Sequence, residues 1–229
     1  ISWPRGKVLG GSSSINGLIY IRGQSQDFDL WRQLGNAGWS YDDVLPYFRK
    51  AEDQERGADE FHGANGPLKI SGIEDRAHPA VQMILKSAEA LQYPWNDDFN
   101  GQTQDGVGLY QFAFRNGRRS SNANAFLDEI RGRENLTVRT NAHVTKLRLD
   151  GNRATGIQYR WENGLHEARA TREVVMSAGA IGTPFILQHS GIGPGAVLQR
   201  HGIQVVRDAP VGKNLQDHGQ CELAFRVKV

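Results

Sequence analysis

The stretch Val174-Val-Met-Ser-Ala-Gly-Ala-Ile-Gly-Thr-Pro184 decides the fold class. Val174 to Met176 reads as a short buried strand, because a strand covered on both faces is apolar throughout rather than alternating. The small residues Ser177-Ala-Gly-Ala180 turn the chain. Thr183-Pro184 then reads as the N-cap and first-turn pair of a helix, where proline's missing N–H costs nothing. Strand, tight turn and helix make half of an α/β unit. Ser190-Gly191 stops that helix, glycine being the usual residue for a left-handed helix end.

Upstream lies a meander. Leu136 to Val138, Val144 to Leu149, Ala154 to Trp161 and Leu165 to Ala170 are strand-like runs, joined by Asp150-Gly-Asn152 and Asn163-Gly164. Ile157, Tyr159 and Trp161 share one face by period two. Asp42-Asp43 reads as the cap of a helix running to Glu52, with Val44, Leu45 and Phe48 on one stripe. His78-Pro79 opens another, with Val81, Ile84, Leu85, Ala88 and Leu91 as its apolar face. His62-Gly-Ala-Asn-Gly-Pro67 is a turn-rich segment in which His62 reads as a loop hydrogen-bonder rather than a ligand. Val107 to Arg115 alternates as a strand. Asn122 reads as the cap of a helix carrying Ala125, Phe126 and Ile130. Arg118 and Arg119 between them could hold an anion, but read as a solvated turn.

Glycine is over-used, 27 in 229 residues against an average near 7%. It is dense in Arg5-Gly-Lys-Val-Leu-Gly-Gly-Ser-Ser-Ser14, where two glycines before three serines give exposed N–H groups able to approach an anion or a polar ring edge. An ordinary flexible loop has the same composition.

Other chemistries find no support. Lys+Arg 27 against Asp+Glu 25, interspersed, lacks the clustered basic surface that nucleic acid needs. The single cysteine, Cys221, excludes an internal disulfide framework and a thiolate zinc cage. The seven histidines never stand three or four apart, so no metal site is expected. No phosphate-binding G-x-x-x-x-G-K-[ST] loop or G-x-S-x-G elbow occurs. Asp217-His218, adjacent in sequence, does not make a dyad. Gly191-Ile-Gly-Pro-Gly-Ala196 matches G-x-G-x-x-A but follows a helix, and Pro194 stands where its helix should begin, so it is rejected as a nucleotide fingerprint. Asn135-Leu-Thr137 is a glycosylation sequon, uninformative without a signal segment. No apolar run approaches the roughly 18 residues of a membrane span. The chain reads as soluble, cytoplasmic or peripheral to a membrane, and as an internal stretch of a longer protein.

Two motifs add a family resemblance. Gly6-Lys-Val-Leu-Gly-Gly-Ser-Ser-Ser-Ile-Asn-Gly17 with Tyr20-Ile-Arg-Gly23 resembles the first signature of the glucose-methanol-choline (GMC) flavoprotein oxidoreductases. Gly179-Ala-Ile-Gly-Thr-Pro-Phe-Ile-Leu-Gln-His-Ser-Gly-Ile-Gly193 resembles the second. His62 to Pro67, Arg119 to Ser121 and Val211 to His218 are also similar to family stretches. Within the family the likeness is to its choline and alcohol dehydrogenase branch.

The resemblance implies a mixed α/β fold: an incomplete GR-type FAD-binding domain with part of an antiparallel-sheet substrate domain. Residues 1–60 would be an FAD-binding segment and 61–135 a substrate-side cap. Residues 136–220 would return to the FAD-binding domain, and 221–229 would begin a substrate-domain strand. Gly10, Gly11 and Ser12 would lie along the FAD pyrophosphate, and Asn16, Gly17 and Ile19 at the pyrimidine end of the flavin. Val144 would hold the adenine side, and Ala178 and Gly179 would let the ADP part approach closely. Ile15 stands where some relatives carry a histidine bonded to the flavin, so FAD is expected to be non-covalent. The implied reaction is oxidation of choline or another primary alcohol to the aldehyde, with oxygen or a quinone as acceptor. The family's G-x-G-x-x-G unit and catalytic histidine have no counterpart in residues 1–229, so no catalytic residue is named, and residues 1–229 alone are expected to be inactive and to bind FAD weakly. An FAD-binding lyase on the same scaffold and a non-catalytic binding module are the alternatives.

Overall fold

A turn of 3-10 helix, Gly11–Ser14, leads into β1 (Ile19–Tyr20) and two helices, α1 (Ser25–Gln33) and α2 (Tyr41–Ala51). The computed structural model describes residues 2–217 and Gly219, and the chain divides between Val138 and Arg139 into two compact units. No helix among the described residues is long and apolar enough to cross a membrane.

Sequence periodicity did not mark α1. Its capping box uses Gln24 and Asp27, and its buried residue is Phe28. The Phe28 ring meets Trp31, Tyr41 and Phe48 at centroid distances of 5.3, 6.2 and 5.6 Å. Helix α2 is where it was expected, and Val44, Leu45 and Phe48 do turn inward. Its cap is Ser40, not Asp42-Asp43: Ser40 Oγ accepts from the Asp43 N–H, and the Asp43 carboxylate accepts from the Ser40 N–H. That reciprocal pair satisfies two donors at once, which an Asp42 cap would not.

From α2 the chain passes directly into β2 (Glu52–Gln54), which pairs in parallel with β3 (Leu68–Ile70). Ile70 is fully buried. The helix at His78-Pro79 is present as α3 (Pro79–Ala90), with His78 Nδ1 accepting from the Ala80 N–H. Its inward face is narrower than the periodicity suggests, since Leu85 is buried while Ile84 and Leu91 are exposed. The run from Val107 to Arg115 is not one strand. Val107 makes an isolated bridge to Trp95, and after it come β4 (Gln111–Phe112), paired antiparallel with β1, and β5 (Phe114–Arg115), which makes a hairpin with β6 (Arg118–Arg119). The bend at Ala113 is held by its N–H to Leu18 O at 2.8 Å. Asn122 caps nothing with its side chain; the segment Ala123–Leu127 is a π-helical turn whose buried residue is Ala125.

In the second unit, β7 (His143–Asp150), β8 (Arg153–Trp161) and β9 (Gly164–Arg169) form an antiparallel meander in sequence order. The run at Leu136 to Val138 is not a strand. The Arg139 guanidinium lies 4.5 Å from the Trp161 ring centroid and bonds the Tyr159 hydroxyl. Helix α4 (Gly179–His189) packs on β7, with Ser190 Oγ accepting from Leu147 N at 2.8 Å.

Two expectations around α4 fail. Val174 to Met176 is not a strand, and Val175 is 77% exposed. A parallel strand exists only through its neighbours, and no described strand lies beside this one. Thr183-Pro184 is not the helix start: the cap is Ala178, and Thr183 Oγ1, from inside the first turns, accepts the Ala178 N–H at 3.1 Å. The helix does stop at Ser190-Gly191, with Gly191 at φ 86°. Beyond it, β10 (Ile192–Gly193), α5 (Gly195–Arg200) and β11 (Arg207–Asp208) make a small parallel crossover. Pro194 therefore precedes a helix rather than blocking one. The first N–H of α5 is taken by Asp208 Oδ1 at 2.9 Å. His218, Cys221 and the expected strand at 221–229 lie outside the described residues.

Candidate functional site

The glycine and serine loop is built, not flexible. Gly10 and Gly11 have φ of 86° and 55°, a left-handed region that a Cβ disfavours. The Gly11 N–H closes a turn on Val8 O at 2.9 Å, and those of Ile15 and Asn16 return to Ser12 O at 3.1 and 2.9 Å. Ser14 Oγ donates to Leu9 O, and Ser12 Oγ accepts from the Gly6 N–H. Among the described residues nothing accepts from the N–H of Gly10, Ser12 or Gly17. Three backbone donors on one loop are thus without a partner among the described residues, a set that can receive an anion or a carbonyl edge. A Cβ at Gly17 would meet nothing within 4 Å. Nothing in the described chain makes glycine necessary there. Val8, Ile15, Ile19 and Ile21, around the loop, are exposed apolar side chains.

Sequence reading missed what holds the loop. Arg119, expected in a solvated turn, donates from Nη1 to Ser13 O at 3.0 Å and Asn16 Oδ1 at 2.6 Å, and from Nη2 to Asn16 O at 2.8 Å. The Asn122 N–H adds a bond to Ser13 Oγ at 2.9 Å. The contacts join residues more than a hundred positions apart, and the only signal in the sequence was the Arg119-Ser-Ser121 likeness to the family.

After the loop in sequence, Tyr20 to Arg22 is anchored to a buried charge network. Arg22, Glu52 and His62 are 6%, 0% and 2% exposed. Arg22 Nη2 donates to Glu52 Oε2 at 2.6 Å; His62 Nδ1 lies 3.0 Å from both Glu52 oxygens and Nε2 lies 2.7 Å from Asp98 Oδ2. Both ring nitrogens face acceptors, so only the imidazolium satisfies the two carboxylates. Burial opposes that charge, but the hydrogen bonds His62 donates to Asp98 and Glu52 outweigh it and raise the His62 pKa to about 9. Asp98, pushed up by burial, is pulled lower by His62. Two cations and two anions balance. His62 is thus the hydrogen-bonder that was expected, but buried and charged. Asn100 Oδ1 accepts from the Arg22 N–H at 2.7 Å, and Gln104 Nε2 donates to Arg22 O at 2.7 Å, so the segment is also held through its backbone.

A cleft of about 510 Å³ lies elsewhere in the first unit, lined by Asp53, Glu74, Arg76 and Arg115 among others. None of the loop residues lines it. Among the described residues no group of three or more His, Cys, Asp or Glu could hold a metal ion.

The other expected site residues are in the second unit. Val144 is on β7, an outer strand of the meander, opposite Tyr159. Ala178 and Gly179 begin α4, Gly179 at φ 83° with open space where a Cβ would stand.

The family model for GMC oxidoreductases matches residues 1–220. The chain belongs to the GMC oxidoreductase family. Among curated GMC relatives, the oxygen-dependent choline dehydrogenase of Pectobacterium atrosepticum is 44% identical over 227 residues, 98% of this chain and 41% of that protein. The enzyme of the same name from Pseudomonas putida strain F1 is 44% identical over 226 residues, 96% of this chain and 40% of that protein. Among solved structures, pyridoxine 4-oxidase from Mesorbium loti superposes with a TM-score of 0.86 at 35% identity, over 91% of this chain and 41% of its own. An FAD-dependent oxidoreductase from Chaetomium thermophilum gives a TM-score of 0.83 at 30% identity, over 90% and 38%. The chain thus spans about two fifths of the length of these GMC relatives, and its mixed α/β fold is theirs.

Proposed function

We propose that this chain is the FAD-holding part of a GMC oxidoreductase that oxidises choline or another primary alcohol to the aldehyde. The observation that carries the reading is the loop at Gly10 to Gly17, with left-handed glycines, N–H groups that nothing described accepts from, and an open Gly17. Those features fit FAD: the Gly10 and Ser12 N–H groups can meet its phosphates, with Gly11 shaping the turn through its own bond to Val8. Asn16, Gly17 and Ile19 fit the pyrimidine end. Val144, Ala178 and Gly179 would serve the adenosine side, and residues 61–135 the substrate-side cap. The Ile15 side chain has no nitrogen, oxygen or sulfur with which to bond the flavin, which supports a non-covalent cofactor. When bound, FAD supplies the hydride acceptor. The chain's own part is to bind and orient it and to place donors where charge develops on reduction. No residue among 1–229 is assigned as the base that takes the hydroxyl proton.

Support for an alcohol as substrate comes from the 44% identity to proteins named choline dehydrogenases. The test is anaerobic addition of choline, then of other primary alcohols, to the complete FAD-loaded enzyme of which residues 1–229 are the FAD-holding part. Bleaching of the flavin band is the expected result. A flavin that every alcohol leaves oxidised overturns the reading in favour of a lyase without net redox turnover.

A further inference from the structure

We infer that Arg119 is a positioning residue for the flavin: it fixes the Asn16 side-chain amide so that its NH2 group is the donor presented from the loop, and polarises that donor. This rests on the proposed reading of the loop as the flavin cradle and goes beyond it.

The orientation of an Asn amide follows from its neighbours, because nitrogen and oxygen differ only in what they can bond. Asn16 Oδ1 is met by two groups that can only donate, Arg119 Nη1 at 2.6 Å and the Leu18 N–H at 3.1 Å. The oxygen must be on that side. Nδ2 is then the free end, and among the described residues nothing accepts from it. Arg119 Nη2 also takes the Asn16 carbonyl at 2.8 Å, so one planar guanidinium grips the residue by both its backbone and its side chain. A lysine, a single point charge, cannot do both with that geometry. A cation on the amide oxygen draws electrons from the nitrogen and makes its hydrogens stronger donors.

Arg119 is itself held. It pairs with Phe114 in the hairpin of β5 and β6, and its carbonyl accepts from Asn124 Nδ2 at 2.6 Å. The Asn122 N–H, three residues on from Arg119, bonds Ser13 Oγ, which donates to Gly10 O at 2.5 Å. The clamp therefore reaches both ends of the loop. At the pyrimidine end, the donor it holds opposes the negative charge that reduction creates.

The test uses the FAD-loaded protein with R119M, R119K and, as a control, R118M, which removes the same charge from the neighbouring exposed residue. The measured quantity is the ratio of oxidised to reduced flavin at a potential fixed by a reference dye, with thermal unfolding recorded for each variant. R119M and R119K are both expected to shift the ratio at least about tenfold toward oxidised flavin, equivalent to about 30 mV for two electrons, while R118M stays within about twofold. R119K poised like wild type overturns the inference, since charge alone would then suffice. R118M shifting as far as R119M also overturns it, by making the effect long-range. If R119M does not fold, R119K and R118M decide. A wild-type protein that holds no flavin overturns the cradle reading itself, and so is distinguishable from either result.

Discussion

His62 shows how one residue couples the stability of the first unit to pH. Its pKa is about 9 in the folded chain against 6.5 for an ordinary histidine. A raised folded value means that the stabilisation is fully present below about pH 6.5 and is lost as pH rises toward about 9. The amount is on the order of 3 kcal/mol, one pKa unit being about 1.4 kcal/mol. Urea unfolding between pH 6 and 9.5 is expected to show this decline, and H62Q is expected to be less stable at pH 6 with a flatter slope. An H62Q slope equal to that of wild type would remove His62 from the account. The sequence alone led to a loop histidine with a hydrogen bond. It could not lead to Glu52 and Asp98, which stand 10 and 36 residues away and meet His62 only in the fold.

At the scale of elements, legibility followed the range of the interaction. Helices α2 and α3 and the strands β7 to β9 are written in local periodicity and turn residues, and they are found nearly where expected. The strand expected at Val174 to Met176 would need neighbouring strands that no local pattern encodes, and it is absent, while the start of α4 depends on a back-reaching Thr183 bond. The loop clamp was illegible for the same reason, since Arg119 and Asn16 are 103 residues apart. Local devices also give the cleanest mutational forecasts. S40A removes the α2 capping box and should cost about 1 kcal/mol in urea unfolding. G10A should cost about 1–2 kcal/mol, because its φ of 86° is left-handed and a Cβ would stand 2.5 Å from Ser14 Oγ. A neutral G10A would mean that the loop is pliant rather than set.

For the whole molecule, the family membership and the FAD reading fit together through one chain of causes. Glycines shape a loop with unpartnered donors, Arg119 holds it, the Arg22–Glu52–His62–Asp98 network holds the segment that follows it, and the relatives that share the fold include a named FAD-dependent enzyme. Non-covalent attachment makes a simple forecast: acid precipitation should leave all flavin in the supernatant, whereas flavin on the pellet would show a covalent bond that Ile15 cannot make. The most direct test of the central claim is FAD affinity, by absorbance titration, of wild type beside G17A. Gly17 has no positive φ and no neighbour within 4 Å of a Cβ, so G17A should unfold within about 0.5 kcal/mol of wild type. The account predicts that it nevertheless binds FAD at least about tenfold more weakly, because the methyl would occupy space meant for the flavin. Equal affinity in the two proteins would contradict the assignment of this loop as the flavin cradle.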